Sequence, residues 1–371
     1  VVAGRIANKL DLHGTNCVVD AACASSLSAL HLACLELWTG RADLAITGGV
    51  DTFNDIFMYM CFSKTPALSP SGDAKPFSEN ADGTILGEGV GMMAIKRLAD
   101  AERDGDRIYA VIRGIGTSSD GAGSAVYAPK ADGQIRCLED AYRTAGVEPD
   151  TIELIEAHGT GTKVGDATEV SGLMTVFSRS ERQRPWCAIG SVKSQIGHTK
   201  AAAGVAGVMK AVLALRNRVL PPTIKIQSPS AAMLTDESPF FVNTQALPWL
   251  GNRRHPRRAG VSAFGFGGSN FHCVLEESPQ PTSEAAWTGD VQIIALSGPT
   301  PTAIRQKIDA FATGQSWSAI RRQAARSRSE FRASDPHRLL FVVEQGRSDL
   351  AKILADARGL LESRPDQTSW T

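Results

Sequence analysis

VVDAACASSL, residues 18–27, joins a short β-branched run to a long apolar one. The pattern predicts a strand over 16–20 and then a helix that carries Cys23 and runs to about Thr39. That helix is apolar on several faces, as expected for a helix buried in a core. Its residues at helical spacing are Leu27, Leu30, Cys34 and Leu37.

Cys23 is predicted at the N-terminal end of this helix, where unpaired N–H groups and the helix dipole favour an anion. Such a setting lowers the pKa of a thiol from about 8.5 towards ~3.5–7.5 and makes a nucleophilic thiolate available. The alternative is a packed cysteine, because free cysteines are among the most buried residues. This segment alone leaves both interpretations open.

The composition argues against several classes of protein. With 39 basic and 39 acidic side chains among 371 residues, no nucleic-acid or membrane partner is predicted. The seven cysteines show no CxxC pair and no spacing typical of zinc ligands, so we expect neither disulfides nor a bound metal. This use of cysteine predicts a cytoplasmic location. The cysteines other than Cys23 are expected to lie in the core. The chain begins at Val1 and looks like a piece of a longer protein.

Strands and helices alternate along the chain, which is typical of a layered α/β protein with buried sheets. Two series of elements in the same order predict a duplicated core whose first series lacks at least two strands. Residues 43–50 are expected to form a strand buried on both faces, and residues 53–80 to be irregular. Further predicted strands are 91–96, 109–117, 152–157, 187–192, 258–262, 270–276, 291–297 and 339–344. Further predicted helices end at Leu10 or span 134–145, 166–177, 201–215, 302–311 and 348–361.

The composition also predicts the domain limits. Residues 1–105 and 106–277 hold the two series, and 278–371 are a linker followed by a small α/β domain. The segment Ser278–Gly289 is rich in proline, serine and threonine, as linkers are. The arginines of the last domain are mixed with acidic residues, which indicates a solvated surface.

Three polar segments follow apolar strands in the second series, where open α/β sheets build their sites. They are EAHGTGT (156–162), GSVKSQIGHT (190–199) and FGFGGSN (264–270). The glycine segment lacks the order of a dinucleotide fingerprint. Together with the cysteine, their histidines His158 and His198 predict a thiol nucleophile and two imidazoles around one cavity.

Four segments together resemble the β-ketoacyl synthases of polyketide and fatty-acid synthases. They are residues 19–33, 156–169, 190–207 and 262–277. The resemblance implies a thiolase-type fold, in which two duplicated α/β halves form a five-layer α-β-α-β-α sandwich. Here the first half would be incomplete. It also implies a homodimer, in which the strand over 16–20 pairs across the dimer axis.

The resemblance also implies roles for individual residues. Cys23 is similar to the cysteine that an acyl carrier protein acylates. His158 and His198 resemble the pair that promotes decarboxylation of malonyl and stabilises the enolate. Lys193, with Glu169, resembles the centre of the charge network of the site.

Further roles are implied for the cavity wall. The Phe266 ring resembles the aromatic gate, and the backbone N–H groups of Cys23 and Phe266 are expected to form the oxyanion hole. Substrate binding is expected at four further positions, which are Thr160, Thr162, Phe264 and Gly267.

The implied activity is decarboxylative Claisen condensation that gives a 3-oxoacyl chain. No bound metal or nucleotide is expected, because the acyl carrier protein delivers the substrate on its phosphopantetheine. Residues 118–134 resemble iterative polyunsaturated fatty-acid or enediyne synthases, and 290–371 resemble the linker to an acyltransferase domain of the same polypeptide. The alternatives are a non-condensing decarboxylase or starter acyltransferase, and an inactive dimer-forming scaffold.

Overall fold

The chain divides into two compact units, residues 1–280 and 281–371. The predicted domain limits 1–105, 106–277 and 278–371 stay predictions, and most of the predicted linker 278–289 lies outside the described residues. In this computed structural model the described residues are 1–123, 125–180, 182, 185–231, 233–235, 237–251, 254–280, 289–311, 314, 316–363 and 369–370.

The first unit alternates strands and helices as predicted. Its strands are β1 (Leu44–Asp51), β2 (Gly89–Lys96), β3 (Ala110–Ser119), β4 (Leu154–Glu156), β5 (Cys187–Gly190), β6 (Val219–Leu220), β7 (Phe240–Val242), β8 (Leu247–Pro248), β9 (Arg258–Gly265) and β10 (Ser269–Glu277). Its helices are α1 (Val2–Leu10), α2 (Ser25–Trp38), α3 (Ile56–Lys64), α4 (Leu98–Arg103), α5 (Ala131–Ala145), α6 (Lys163–Phe177), α7 (Lys193–Ile196) and α8 (Ala203–Asn217).

A six-stranded mixed sheet, ordered β3-β10-β9-β4-β5-β7, forms the centre of this unit. Strand β10 is antiparallel to both neighbours, and the strands from β9 to β7 are parallel. Successive side chains of a strand point to opposite faces. Accordingly, Leu154 joins the core that includes α2 and α8, whereas Ile155 joins the core that includes α5 and α6. The sheet is therefore covered by helices on both faces.

The antiparallel pair β1-β2 forms a further layer against α2 and α8. A helix that packs on two antiparallel strands further along the chain occurs twice. It occurs as α2 with β1 and β2, with α3 between the strands, and as α8 with β9 and β10, after β6, β7 and β8. This repeat agrees with the predicted duplication. The described elements give four successive layers, α-β-α-β, of the predicted five.

Two predicted features of the first series differ from the structure. Residues 16–20 are not a strand but an irregular segment with Val18 69% exposed, because a strand requires a hydrogen-bonding neighbour that the described chain does not place beside it. Strand β1 is not buried on both faces. Its residues Leu44 and Val50 are exposed, since helices cover only one face of the two-stranded sheet.

The segment predicted to be irregular over 53–80 contains helix α3. Asp55 caps this helix by accepting a hydrogen bond from the Met58 N–H at 3.0 Å. The helix itself carries apolar residues on all of its faces, so its sequence shows no amphipathic period. Cys61 on α3 is exposed, as is Cys17, so the prediction that all the other cysteines lie in the core is wrong for these two.

The second unit is a small α/β domain, as predicted. Its elements are β11 (Val291–Gly298), α9 (Pro301–Asp309), α10 (Trp317–Glu330), β12 (His337–Glu344), α11 (Leu350–Ser363) and β13 (Ser369–Trp370). Strand β12 pairs antiparallel with β11 and parallel with β13. Helix α10 was not predicted from the sequence, because its many arginines leave only a short apolar pattern. The face that it buries is narrow and contains Ala324 and Ala325.

Gly116→Ala should destabilise the first unit by about 1–3 kcal/mol, because overpacking strains a close-packed interior. A Cβ at Gly116 on β3 would lie 2.2 Å from the backbone nitrogen of Ala141 and the carbonyl oxygen of Cys137 on α5. Urea unfolding measures the change. Gly14→Ala is the control, since a Cβ there meets no atom within 4 Å of the described residues. Identical unfolding curves for Gly116→Ala and the wild type would contradict the close packing of α5 on β3.

Candidate active site

Cys23 lies in the 3₁₀ turn Ala22–Ala24 that leads directly into α2. The Asp20 carboxylate accepts the Ala22 N–H at 2.8 Å and the Ser25 hydroxyl at 3.3 Å, which holds Ala22 at a left-handed φ of 48°. Gly265 is required opposite, because a Cβ there would lie 2.2 Å from the Ala21 carbonyl oxygen. The turn buries the Cys23 side chain and directs its sulfur towards the end of the central sheet.

The two predicted histidines lie beside this sulfur. His198 Nε2 is 3.1 Å from Cys23 Sγ, and the rings of His158 and His198 are 5.6 Å apart. The Nδ1 atoms accept backbone hydrogen bonds, at 3.3 Å from Phe264 N to His158 and at 3.2 Å from Lys200 N to His198. Each neutral ring therefore carries its proton on Nε2.

Both imidazoles are neutral in this environment. Burial, reinforced by the Lys193 charge, holds the pKa of His158 and of His198 well below the ordinary value for histidine. Two neutral rings with fixed tautomers present two N–H donors to the same space. This arrangement can stabilise negative charge that develops on an oxygen.

The thiol differs from the prediction. Burial raises the pKa of Cys23 to about 11, and the Lys193 charge and the backbone N–H groups of Phe266 and Cys23 offset only part of this. The sequence indicated the groups that favour a thiolate but not the depth of burial that opposes them. The free site therefore holds a neutral thiol.

Alkylation of Cys23 should reveal this state. Far below its pKa the thiolate fraction rises tenfold per pH unit, so the rate with iodoacetamide should rise about tenfold per unit between pH 7 and pH 9. Peptide mass spectrometry separates Cys23 from the exposed Cys61, which serves as the reference for accessibility. A rate for Cys23 that levels off below pH 8 would contradict the raised pKa.

Lys193 and Glu169 both hold the backbone around His158. The buried Lys193 ammonium donates a hydrogen bond to the His158 carbonyl oxygen. The Glu169 carboxylate accepts the N–H groups of His158 and Gly159, each at 2.8 Å. Lys193 and Glu169 therefore both bind the backbone of His158. The peptide between His158 and Gly159 is held at its carbonyl by Lys193 and at its N–H by Glu169.

Two further carboxylates near Lys193 were not singled out from the sequence. Burial lowers the pKa of Lys193, and Glu156 is the carboxylate that opposes this most strongly. Glu156 also contacts Lys210 at 2.8 Å. Asp166 accepts the N–H groups of Phe77 and Gly161 at 2.9 and 3.1 Å.

Burial raises the pKa of Asp166 to about 6 and that of Glu169 to about 7. The i, i+3 spacing of these residues places them on one face of α6. With Glu156 they lie in the segment 156–169. This spacing was the signal that could have identified Asp166.

Cys23, His158 and His198 line a single cavity of about 630 Å³. Two of its wall residues, Thr160 and Thr162, have hydroxyls 2.9 Å apart. Besides the three central residues, the lining contains further positions predicted for the site, which are Thr160, Thr162, Phe264, Phe266 and Glu169.

Phe266 lies at the cavity with 41% of its surface exposed. Its ring centroid is 6.3 Å from that of Phe62 on α3 and 6.5 Å from that of Tyr127. Gly267 has a φ of 92° and donates its N–H to the Val126 carbonyl at 2.8 Å, and it is not among the lining residues of the described cavity. Gly267 thus ties the loop over 125–129 to the glycine segment.

Within the described part of the chain, no group of three or more histidine, cysteine or acidic side chains could hold a metal ion. Over the same residues, none of the helices has the length and apolar character needed to cross a membrane.

Comparison with known proteins identifies the family. Residues 1–101 match the family model of the β-ketoacyl synthase N-terminal domain, and 109–227 match that of its C-terminal domain. The chain belongs to the β-ketoacyl synthase family. Residues 229–338 match the C-terminal extension of ketoacyl synthetases. Cys23 of this β-ketoacyl synthase lies in the N-terminal match, and both histidines lie in the C-terminal match.

Named relatives support the same assignment. The chain is 47% identical over 292 residues to a polyunsaturated fatty acid synthase of Thraustochytrium, covering 77% of this chain and 10% of that protein. It is 44% identical over 277 residues to polyketide synthase PksL of Bacillus subtilis, covering 75% and 6%. The chain thus spans a small part of the curated relatives it matches.

Solved structures share the fold. A ketosynthase from module 6 of the bacillaene synthase of Bacillus subtilis superimposes with a TM-score of 0.73 at 38% identity, covering 96% of this chain and 62% of that one. A Streptomyces albus oxazolomycin ketosynthase domain has a TM-score of 0.73 at 33% identity, covering 96% and 63%. The predicted thiolase-type α/β fold is confirmed.

Proposed function

We propose that this β-ketoacyl synthase is a 3-oxoacyl-[acyl-carrier-protein] synthase of polyketide or fatty-acid biosynthesis. It would condense a malonyl group on its carrier with an acyl chain held on Cys23, with loss of carbon dioxide. The observation that carries the proposal is the convergence of the thiol and two Nε2–H donors in one cavity.

In the first step Cys23 takes the acyl chain. The thiol loses its proton, and the sulfur attacks the acyl carbon of the carrier thioester. The bond from that carbon to the phosphopantetheine sulfur breaks, and the released sulfur takes up a proton. The Nε2–H of His198, 3.1 Å from Sγ, stabilises the sulfur while it is negatively charged.

In the second step malonyl loses its carboxylate. The bond between the carboxylate carbon and the α-carbon breaks, and its electron pair passes into an enolate whose negative charge rests on the thioester oxygen. The two Nε2–H groups of His158 and His198 would donate to this oxygen and lower the barrier. The Lys193 charge adds to this stabilisation and, after burial, helps to keep the rings neutral.

In the third step the α-carbon attacks the acyl carbon on Cys23. The new oxyanion would accept the backbone N–H groups of Cys23 and Phe266, which already lie against the sulfur. Collapse of this intermediate breaks the bond to Sγ. The sulfur regains a proton, and the product is a 3-oxoacyl chain extended by the malonyl-derived unit.

The partner in this proposal is an acyl carrier protein, whose phosphopantetheine enters the cavity, so the chain itself binds no cofactor. Thr160, Thr162 and Phe264 would bind the arm, and the ring of Phe266 would gate the entry of malonyl. Gly267, which is not among the lining residues, would contribute by holding the loop over 125–129.

We further propose an acyltransferase domain in the same polypeptide, a homodimer, and a cytoplasmic location. The large size of the relatives supports the first of these. The exposed apolar surface at Val18 and on β1-β2 supports the homodimer. The free cysteines support the cytoplasmic location.

The test combines the chain with acyl- and malonyl-loaded carrier proteins and measures the 3-oxoacyl product by mass spectrometry. Condensation gives this product with carbon dioxide. A non-condensing decarboxylase would release carbon dioxide without it, and a scaffold would form neither product nor adduct. Either of the last two results from the folded protein would refute the proposal.

A further inference from the structure

Lys200 lies two residues beyond His198 in an unusual backbone conformation. Its φ is 50°, a left-handed value that is uncommon for residues other than glycine and costs free energy. In this conformation its backbone N–H donates to His198 Nδ1 at 3.2 Å. The bond leaves the imidazole proton on Nε2, 3.1 Å from Cys23 Sγ. The orientation of one strained peptide therefore determines which imidazole nitrogen faces the sulfur as a donor.

The side chain of Lys200 is buried and fully engaged. Its ammonium lies 3.1 Å from Asp51 Oδ1 at the end of β1 and donates to the Gly87 carbonyl at 3.0 Å and to Asn54 Oδ1. The second Asp51 oxygen accepts the Ala201 N–H at 3.3 Å. Asp51 thus holds the turn at two points, the Lys200 side chain and the Ala201 backbone N–H.

The same contacts reach the backbone of His198. Its N–H donates to the Ile85 carbonyl at 2.7 Å, and its carbonyl accepts the Gly87 N–H at 3.0 Å. Because the Lys200 ammonium binds the Gly87 carbonyl, it connects this segment to β1. His198 is therefore held directly by Ile85 and Gly87, and Lys200 links Gly87 to Asp51 on β1.

A buried ion pair contributes little net stability, because desolvation of both charges offsets their attraction. The Lys200–Asp51 pair holds the left-handed turn in which the Lys200 N–H binds His198 Nδ1 and so sets the Nε2–H tautomer. The main effect of the ion pair is therefore on the geometry of His198, and its effect on the free energy of unfolding is small.

We propose that Lys200 is a positioning residue, whose ion pair with Asp51 holds the turn that keeps the Nε2–H of His198 on the Cys23 sulfur. This inference rests on the proposed condensing activity for its kinetic consequence. Its structural consequence, the tautomer of His198, is measurable without turnover.

The test compares Lys200→Met, Lys200→Arg, Asp51→Asn and the double variant Asp51→Asn/Lys200→Met with the wild type. Lys200→Met and Asp51→Asn should each lower kcat roughly 10- to 100-fold, as small misplacements of catalytic groups do, with KM within about twofold. The double variant should be no slower than either single variant, because both remove the same pair. Lys200→Arg should restore most of kcat.

Nitrogen NMR of ¹⁵N-histidine-labelled protein supplies the second readout, with His198 assigned from a His198→Asn sample. The wild type should show a protonated Nε2, and Lys200→Met should show a mixture of tautomers. Lys96→Met is the matched control. It removes a lysine paired with Asp104 and Asp106 outside the cavity, and should change neither kcat nor the His198 signals.

Thermal unfolding first establishes which variants are folded. If Lys200→Met is unfolded, the two single variants Asp51→Asn and Lys200→Arg are compared with the wild type instead. A folded Lys200→Met or Asp51→Asn with the wild-type His198 tautomer overturns the proposal. A wild type that forms no 3-oxoacyl product refutes the condensing activity instead, and the NMR comparison still decides the role of Lys200.

Discussion

Cys23→Ala should abolish the acyl adduct and condensation while malonyl decarboxylation continues. The variant removes the sulfur that carries the acyl chain, whereas the two Nε2–H donors that stabilise the enolate remain in the cavity. Loss of a nucleophile that acts with its partners as a unit costs on the order of 10³-fold or more in turnover. Intact-protein mass spectrometry after incubation with an acyl-loaded carrier protein measures the adduct, and release of carbon dioxide measures decarboxylation.

Cys61→Ala is the matched control for this experiment. Cys61 is an exposed free cysteine on α3, so its replacement tests whether the adduct depends on cysteine count alone. We expect the adduct and turnover of the wild type. An adduct that persists in Cys23→Ala would rule out Cys23 as the nucleophile.

His158→Ala and His198→Ala should separate the two half-reactions. His198 contacts the sulfur at 3.1 Å, whereas His158 contacts the Phe264 N–H and the His198 ring. His158→Ala should therefore lose decarboxylation by roughly 10²- to 10³-fold, the cost of one preorganised donor, and keep most of the acylation. His198→Ala should lose both.

Single-turnover acylation and decarboxylation rates, measured separately, check this distinction. His158→Gln is the informative companion variant, because its amide supplies an N–H donor and should recover part of the decarboxylation. Equal losses of acylation in His158→Ala and His198→Ala would contradict the assignment of the sulfur contact to His198 alone.

Much of the site could be predicted because its residues are neighbours in sequence. The segment 156–169 carries His158 just after β4 and Glu169 on α6, whereas Asp166, one helix turn before Glu169, was not singled out. Short-range order of this kind follows from strand and helix periodicity. The convergence of His158, His198 and Cys23 was expected from a predicted strand before each of them. The structure brings the three together, although the residues before Cys23, 16–20, are not a strand.

Other features depend on what packs against a segment. The apolar sequence of β1 does not show whether helices cover one face of the strand or both. In the structure they cover only one face. Residues 16–20 have the composition of a strand but no described strand beside them. Helix α3 lies in a segment with several prolines and glycines, and its cap at Asp55 was too local a signal to outweigh them.

The sequence by itself indicated most of the strands and helices, the family resemblance, and one thiol and two imidazoles as candidates for a shared cavity, because these follow from local patterns. Only the tertiary structure decided the protonation of the site. Burial raises the pKa of Cys23 to about 11 against the favourable charge of Lys193, and backbone N–H groups from Phe264 and Lys200 set the tautomers of both histidines. Desolvation and hydrogen bonding between residues far apart in the chain are properties of packing, and no local pattern encodes them.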